Sequence, residues 1–177
     1  MKRYVFITVL ALVVSLLLSA CGGNANGGDV SETLTVTEES DVTLSRTVYA
    51  HGIQLNVPED AVVSDVGTVI INLNNGTDNI TVVSATGSLD DFSQKNMTAA
   101  LQTEFDFDSF NSYEKTELNG AQAVIYSFDT VVEETTLYLK QVNVQVGDNV
   151  VTVTYCLTDK ANEGIFEKML ASVAVTE

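Results

Sequence analysis

Residues 136–157 read TLYLKQVNVQVGDNVVTVTYCL, and this stretch decides the fold. Two runs rich in Val, Thr, Leu and Tyr flank Gly147-Asp148-Asn149, where a short hairpin needs a residue with positive φ. The stretch therefore predicts two long antiparallel strands, Thr136–Val146 and Asn149–Leu157.

The first of these strands changes the face on which its apolar residues lie. Leu137 and Leu139 occupy odd positions, whereas Val142, Val144 and Val146 occupy even ones. Because successive side chains of a strand point to opposite faces, neither face stays polar throughout. A bulge, or helices that cover different parts of both faces, would explain this change.

Outward from this hairpin, most of the chain is predicted to be strand. Short runs rich in Val, Ile, Thr, Tyr and Phe alternate with turn residues. The further predicted strands are Thr47–Ala50, Gly52–Val57, Thr68–Leu73, Asn79–Ala85, Tyr113–Leu118 and Ala121–Asp129. Asn75-Gly76 and Asn119-Gly120 favour two more tight hairpins, so we expect a largely antiparallel sheet.

Two segments interrupt the strands with helical patterns. Ser88-Leu89-Asp90-Asp91 places a capping hydroxyl before two acidic residues, and an apolar face that reaches Phe105 follows. Near the C-terminus Ile165, Phe166, Met169, Leu170 and Val173 recur at helical spacing. The order strands, helix, strands, helix predicts an α+β domain, a mostly antiparallel sheet flanked by helices.

This layout resembles the PsbP-like domains, a group that includes the DcrB-like bacterial lipoproteins. The similarity lies in the Gly-Ile-x-Leu-x-Val-Pro opening at Gly52–Pro58, the mid-chain helix, the long strands, and the closing helix that contains Ile165-Phe166 and Leu170-Ala171-Ser172. The resemblance covers about residues 45–177. It implies an α/β/α sandwich in a family that mostly binds or stabilises other proteins and shares no catalytic residues.

The N-terminus has the pattern of an export signal. Lys2 and Arg3 precede an apolar run from Tyr4 to Leu18 that is too short for a typical membrane-spanning helix. Leu18-Ser19-Ala20-Cys21 resembles the bacterial lipobox, which implies cleavage before Cys21 and a diacylglyceryl group on its thiol. We expect a signal peptide at 1–20, a lipidated, acidic, flexible tether at 21–44 and one folded domain at 45–177. Within the tether, Leu34 and Val36 alternate with threonines, and a short strand is the alternative there.

The charge balance restricts the partners. The chain has 24 acidic and 8 basic residues, and because Lys2 and Arg3 belong to the signal, the exported part keeps six basic residues and a net charge of −18. Such a chain cannot neutralise phosphates, so nucleic acid is excluded as a partner. We expect contact with the membrane only through the lipid on Cys21, at the outer face of a bacterial membrane.

Few residues have the pattern of a reactive or metal-binding site. Glu104, Asp106 and Asp108 place three carboxylates at alternating positions, and they are the candidate ligands for Ca²⁺. The alternative is that these three carboxylates form a solvated acidic face without a ligand. Cys156 lies in an apolar run, far in sequence from His51, the only histidine, and is expected to be a core residue.

The motif search favours a protein without catalytic function. The sequence has no Gly-x-Ser-x-Gly, phosphate-loop, His-Glu-x-x-His or Cys-x-x-Cys motif. Five tyrosines in the strand region are candidates for an aromatic binding face, although core packing is the more common role: Tyr49, Tyr113, Tyr126, Tyr138 and Tyr155. We therefore expect a lipid-anchored binding or adaptor protein that contacts a protein partner, and as the alternative a cation- or small-solute-binding lipoprotein that uses its acidic clusters.

Overall fold

The computed structural model describes residues 42–65, 67–73, 78–132 and 134–176. Its elements in chain order are the strands β1 (Arg46–Ala50), β2 (Ile53–Val57), β3 (Val62–Asp65), β4 (Val69–Asn72) and β5 (Asn79–Thr86), a 3₁₀ turn (Leu89–Phe92), helix α1 (Gln94–Glu104), strands β6 (Ser112–Leu118), β7 (Ala121–Val132), β8 (Thr135–Val146) and β9 (Asn149–Leu157), helix α2 (Glu163–Ala171) and strand β10 (Ala174–Val175). In the described part of the chain, no helix is long and apolar enough to cross a membrane.

The strands form two antiparallel sheets. Seven of them form a large sheet in the order β3-β4-β5-β9-β8-β7-β6, and the other three form a small sheet in the order β1-β2-β10. Pro58 separates the sheets along the chain, because it follows the last residue of β2 and begins a turn that Ala61 N closes on Pro58 O at 3.2 Å. The chain then enters the large sheet as β3.

One face of the large sheet is covered by α2 and the small sheet, and we name it the α2 face. Its core is almost entirely aliphatic, and it is completed by fully buried Phe166 and Met169 of α2 and Ile53 and Leu55 of β2. Val142 and Val144 of β8 point into this core. At about 25 cal/mol per Å² of buried apolar surface, a core of this kind is the main source of stability.

The opposite face is covered by α1 and the segment after it, and we name it the α1 face. Met97 and Leu101 of α1 pack there on Phe128 of β7, together with Leu137 and Leu139 of β8. The pairing of β8 with β7 and β9 runs without interruption. The change of apolar face in β8 therefore has no bulge as its cause, and the second explanation, cover over both faces, is the one that the structure bears out.

The expected α+β class is confirmed, and so are all eight expected strands, to within a few residues at their ends. Asn119 and Gly120 have φ of 48° and 85°, and Gly147 has φ of 58°, as their hairpins require. Asn75-Gly76 lies outside the described residues, although β4 and β5 pair antiparallel on either side of it. The division into two sheets and the short strands β3 and β10 were not expected.

The mid-chain helix begins later than predicted. Ser88 and Asp91 form a capping box, but it caps the 3₁₀ turn at Leu89–Phe92. Ser93 then breaks the turn with ψ of 148° and caps α1 through a bond from Asn96 N to its hydroxyl. The predicted helix is therefore a turn followed by a separate helix.

Candidate functional site

A polar cleft, here called the cleft, opens on the α2 face between helix α2 and strands β7, β8 and β9. It has a volume of about 230 Å³. Its lining is mostly polar and includes three carboxylates and two ammonium groups: Asn111, Ser127, Asp129, Tyr138, Leu139, Lys140, Tyr155, Lys160, Glu163 and Glu167. Two of the eight basic residues of the chain therefore meet at one place in a strongly acidic protein.

Strand alternation and helix periodicity bring these residues together. Lys140 of β8 and Tyr155 of β9 are directly paired neighbours, so their side chains stand side by side on the α2 face. Glu163 and Glu167 are four residues apart on α2 and therefore lie on the same side of the helix, one turn above the other. The helix packs on the sheet through Phe166, whose ring lies 5.9 Å from that of Tyr155.

Glu167 is the centre of the hydrogen bonds in the cleft. Lys140 Nζ donates to its Oε2 at 2.6 Å, and Tyr155 OH donates to its Oε1 at 2.9 Å. The Lys140–Glu167 pair is only partly exposed, so solvent screens it less than a surface pair. Both carboxylate oxygens of Glu167 are thus engaged in joining α2 to the sheet.

The hydroxyl of Tyr155 is held in its neutral form. Burial raises the pKa of Tyr155, and the carboxylates of Glu167 and then Glu163 raise it further, because a second negative charge beside them is unfavourable. A tyrosine in this state donates a hydrogen bond at neutral pH and does not act as a base. Its function in the cleft is to orient Glu167.

The rim of the cleft carries a second set of contacts. Lys160 Nζ lies 4.7 Å from the centre of the Tyr138 ring, a cation–π arrangement. Asn111 Nδ2 donates to Asp129 Oδ1 at 2.8 Å. The cleft therefore contains both carboxylates and ammonium groups, but its inner groups, Lys140, Tyr155 and Glu167, are bonded to one another. This arrangement suits a structural joint or a surface that recognises polar groups.

A row of buried polar side chains lies on the other side of the sheet, on the α1 face. Asn143 accepts a bond from Thr152 Oγ1 at 2.8 Å and donates to the Val124 carbonyl at 3.1 Å. Next to it, Tyr126 OH donates to Gln141 Oε1. Burial raises the pKa of Tyr126, so this hydroxyl also remains protonated. We name these residues the polar row.

The three predicted calcium ligands do not converge. Glu104 is the last residue of α1, and Asp106 and Asp108 follow it in an extended segment in which Phe105 and Phe107 point inward and the acids point to solvent. Phe107 packs on Phe128 with ring centres 5.6 Å apart. Within the described ranges, no group of three or more His, Cys, Asp or Glu residues could hold a metal ion. The alternation thus reflects an aromatic anchor with a solvated outer side.

The remaining candidates occupy separate places. Cys156 is buried in the α1-face core, as expected. His51 is exposed in the β1–β2 turn with φ of 52°. The five tyrosines form no common face, because Tyr113 and Tyr126 lie on the α1 face, Tyr138 and Tyr155 in the cleft, and Tyr49 on β1 is 69% exposed. The predicted signal peptide, Cys21 and residues 22–41 of the predicted tether lie outside the described residues.

Sequence reasoning missed the cleft. Lys140 is the one charged residue in a long strand of apolar and uncharged polar residues. A charge in a central strand needs a partner, so Lys140 was the residue from which the cleft could have been predicted. Its partner Glu167 is 27 residues away, and only the docking of α2 on the sheet brings them together.

Solved structures share this fold. The solution structure of cyanobacterial PsbP (CyanoP) from Synechocystis sp. PCC 6803 matches with a TM-score of 0.56 and 11% identity, over 79% of this chain and 98% of that one. A protein of unknown function from Pseudomonas aeruginosa matches with a TM-score of 0.50 and 12% identity, over 75% of this chain and 97% of that one.

A larger protein contains a similar domain. A crystal structure from Bacteroides thetaiotaomicron VPI-5482 matches with a TM-score of 0.52 and 11% identity over 76% of this chain, which spans half the length of that protein. No protein-family model and no curated protein matches the sequence. At this level of identity the likenesses concern the fold alone, and the fold of this chain is PsbP-like.

Proposed function

We propose that this protein is an exported, lipid-anchored, non-catalytic binding protein that contacts a protein partner at the outer face of a bacterial membrane. The lipid on Cys21 holds the chain at the membrane, residues 22–44 act as a spacer, and the PsbP-like domain presents the binding surface. The −18 net charge of the exported part keeps this domain away from anionic lipid and favours a partner with a basic surface.

The observation that carries the non-catalytic part of this proposal is the bonding inside the cleft. Both oxygens of Glu167 accept hydrogen bonds from neighbouring side chains, and Tyr155 is fixed as a donor. A general acid or base has to exchange its proton with a substrate. Here Glu167, Lys140 and Tyr155, which are groups of that chemical type, instead bond to one another and attach α2 to the sheet.

The binding part of the proposal is tested in native membranes. A homobifunctional lysine crosslinker, applied to cells that produce the tagged full chain, is expected to yield a discrete adduct of reproducible mass. The adduct should decrease with rising salt, because exposed charges are screened beyond about 8–10 Å at physiological ionic strength. If no discrete adduct forms under any salt condition, the proposed function is rejected.

The anchor is tested by metabolic labelling with a radioactive fatty acid. Cys21→Ser should abolish the label and leave the chain uncleaved. The other cysteine offers the matched control, because Cys156 is buried in the domain and Cys156→Ala should keep the label. Label that persists in Cys21→Ser would reject lipidation at this residue.

A further inference from the structure

The two edges of the large sheet differ in how they are protected. β3 forms one edge and β6 the other. An edge strand exposes unpaired backbone N–H and C=O groups, which attract another strand. Natural edges are usually blocked by charged side chains, above all lysine.

β6 carries a lysine in its middle, whereas the charged residue of β3 is an aspartate at its end. The exposed middle of β6 reads Glu114, Lys115, Thr116 and Glu117, and Lys115 Nζ lies 3.7 Å from Asp90 Oδ1. All four residues of β3 are exposed, and two of them are apolar: Val62 is 60% exposed and Val63 37%. β-branched side chains on an open edge are the composition that favours strand pairing.

The surroundings of β3 indicate the chemistry of what pairs with it. Glu59 precedes the strand in an exposed turn, and Asp65 ends it, so one carboxylate lies on each side of the two valines. An incoming strand that has positive charges at its ends would complement this edge.

A second copy of the chain fits this edge poorly. Antiparallel pairing of two β3 strands would bring the carboxylates of both copies together, and each copy has a net charge of −16 over its full sequence. Like charges placed face to face across an interface cost binding energy. Charge complementarity therefore favours a different occupant.

We propose that β3 is a docking edge for strand addition, and that its occupant is an extended segment of a protein partner with β-branched residues flanked by lysine or arginine. This inference rests on the proposed function and specifies its surface. Main-chain hydrogen bonds to β3 supply affinity, and contacts with Val62, Val63 and the flanking carboxylates supply selectivity.

The test uses the full chain purified from membranes in detergent and a fluorescent peptide, Lys-Lys-Val-Thr-Val-Thr-Lys-Lys, measured by anisotropy. We expect saturable binding, and at least about tenfold weaker binding, a difference of about 1.4 kcal/mol, when the terminal lysines are replaced by glutamates. The double variant Val62→Lys/Val63→Lys gives β3 the protection of β6 and should also weaken binding at least about tenfold. The matched control is Thr116→Lys on the β6 edge, which should bind as the unaltered chain does.

Equal binding by the Val62→Lys/Val63→Lys variant and the control would overturn the inference, and so would absence of peptide binding. A concentration-dependent dimer that this double variant abolishes would also overturn it, in favour of a second copy. The lysine crosslinking described above separates the two proposals. For this comparison the variant is Val62→Asn/Val63→Asn, because new lysines on β3 would themselves react with the crosslinker, whereas asparagine is uncharged and disfavoured in strands. If the adduct forms unchanged in this variant, the inference about β3 fails and the proposed function stands. If no adduct forms in the unaltered chain, the proposed function itself fails.

Discussion

The two faces of the large sheet are built from the same strands but follow different rules. On the α2 face, β8 contributes Val142 and Val144 to an aliphatic core. On the α1 face, the alternating residues Gln141 and Asn143 are just as buried, but they are polar and form hydrogen bonds. One face is thus stabilised mainly by packing and the other by packing together with a polar network.

The two faces therefore differ in how strictly they restrict the residues that can occupy them. Aliphatic side chains are interchangeable at similar volume, so the α2 face tolerates many sequences. A buried polar network is strong only while every member has a partner. The polar row therefore restricts how β7, β8 and β9 align. Because α1 covers this row, each of its polar groups needs a hydrogen-bond partner within the protein.

The largest effect is expected from Phe166→Ala, which removes a fully buried ring from the α2 face. The free energy of unfolding should fall by about 3–5 kcal/mol, because the lost apolar contact is followed by a cavity. Urea denaturation followed by circular dichroism measures this. Tyr49→Ala, at an exposed aromatic of the small sheet, is the control and should change it by less than about 0.5 kcal/mol. Similar losses in both variants would contradict the assignment of the core.

Asn143→Ala should break the polar row. It removes the acceptor of the buried Thr152 hydroxyl and the side-chain bond to the Val124 carbonyl, which costs about 1–3 kcal/mol of unfolding free energy. The double variant Asn143→Leu/Thr152→Val replaces both side chains with apolar ones and should recover part of the loss. If the double variant is less stable than Asn143→Ala, the loss comes from shape and not from unpaired polar groups. Urea denaturation of the three chains decides between these outcomes.

Alkaline pH tests both faces at once, because each holds one buried tyrosine whose pKa is raised: Tyr126 on the α1 face and Tyr155 on the α2 face. Unfolded tyrosine loses its proton near pH 10, whereas the folded chain keeps it. The contribution of each tyrosine to the unfolding free energy is therefore fully present below about pH 10. Above pH 10 the unfolding free energy should fall by about 1.4 kcal/mol per pH unit for each tyrosine. Tyr126→Phe and Tyr155→Phe should each remove one such contribution from the slope. An unchanged slope in either variant would show that its tyrosine titrates normally.

The fold was predictable to the extent that it depends on local patterns. Hairpin residues such as Asn119-Gly120 specify φ directly, and the change of apolar face in β8 limited the explanation to a bulge or to cover over both faces. The small sheet was not predictable, because the alternation of apolar and polar residues in β1 and β2 is the same whether these strands join the large sheet or form a separate one. The cleft depends on Lys140 meeting Glu167 across 27 residues, which no local pattern encodes. The acidic alternation after α1 fitted either a calcium site or a solvated face. The packing of Phe107 on Phe128 decides between them, because it turns the acids to solvent, and that contact also joins residues distant in sequence.

The smallest expected effect has the opposite sign and concerns a single buried hydroxyl beside the polar row. Thr154 is fully buried on β9, and its Oγ1 has no hydrogen-bond partner among the described residues. Thr154→Val keeps the shape and removes this group, so the unfolding free energy should rise by up to about 1 kcal/mol. Thr152→Val, two residues earlier on the same strand and face, removes a hydroxyl that is bonded to Asn143, so it should lower the unfolding free energy by about 1 kcal/mol. Opposite signs in urea denaturation would show that hydrogen-bond pairing determines stability on the α1 face. Equal losses would mean that Thr154 is also paired, for instance through an internal water, and that the polar row extends one strand position further.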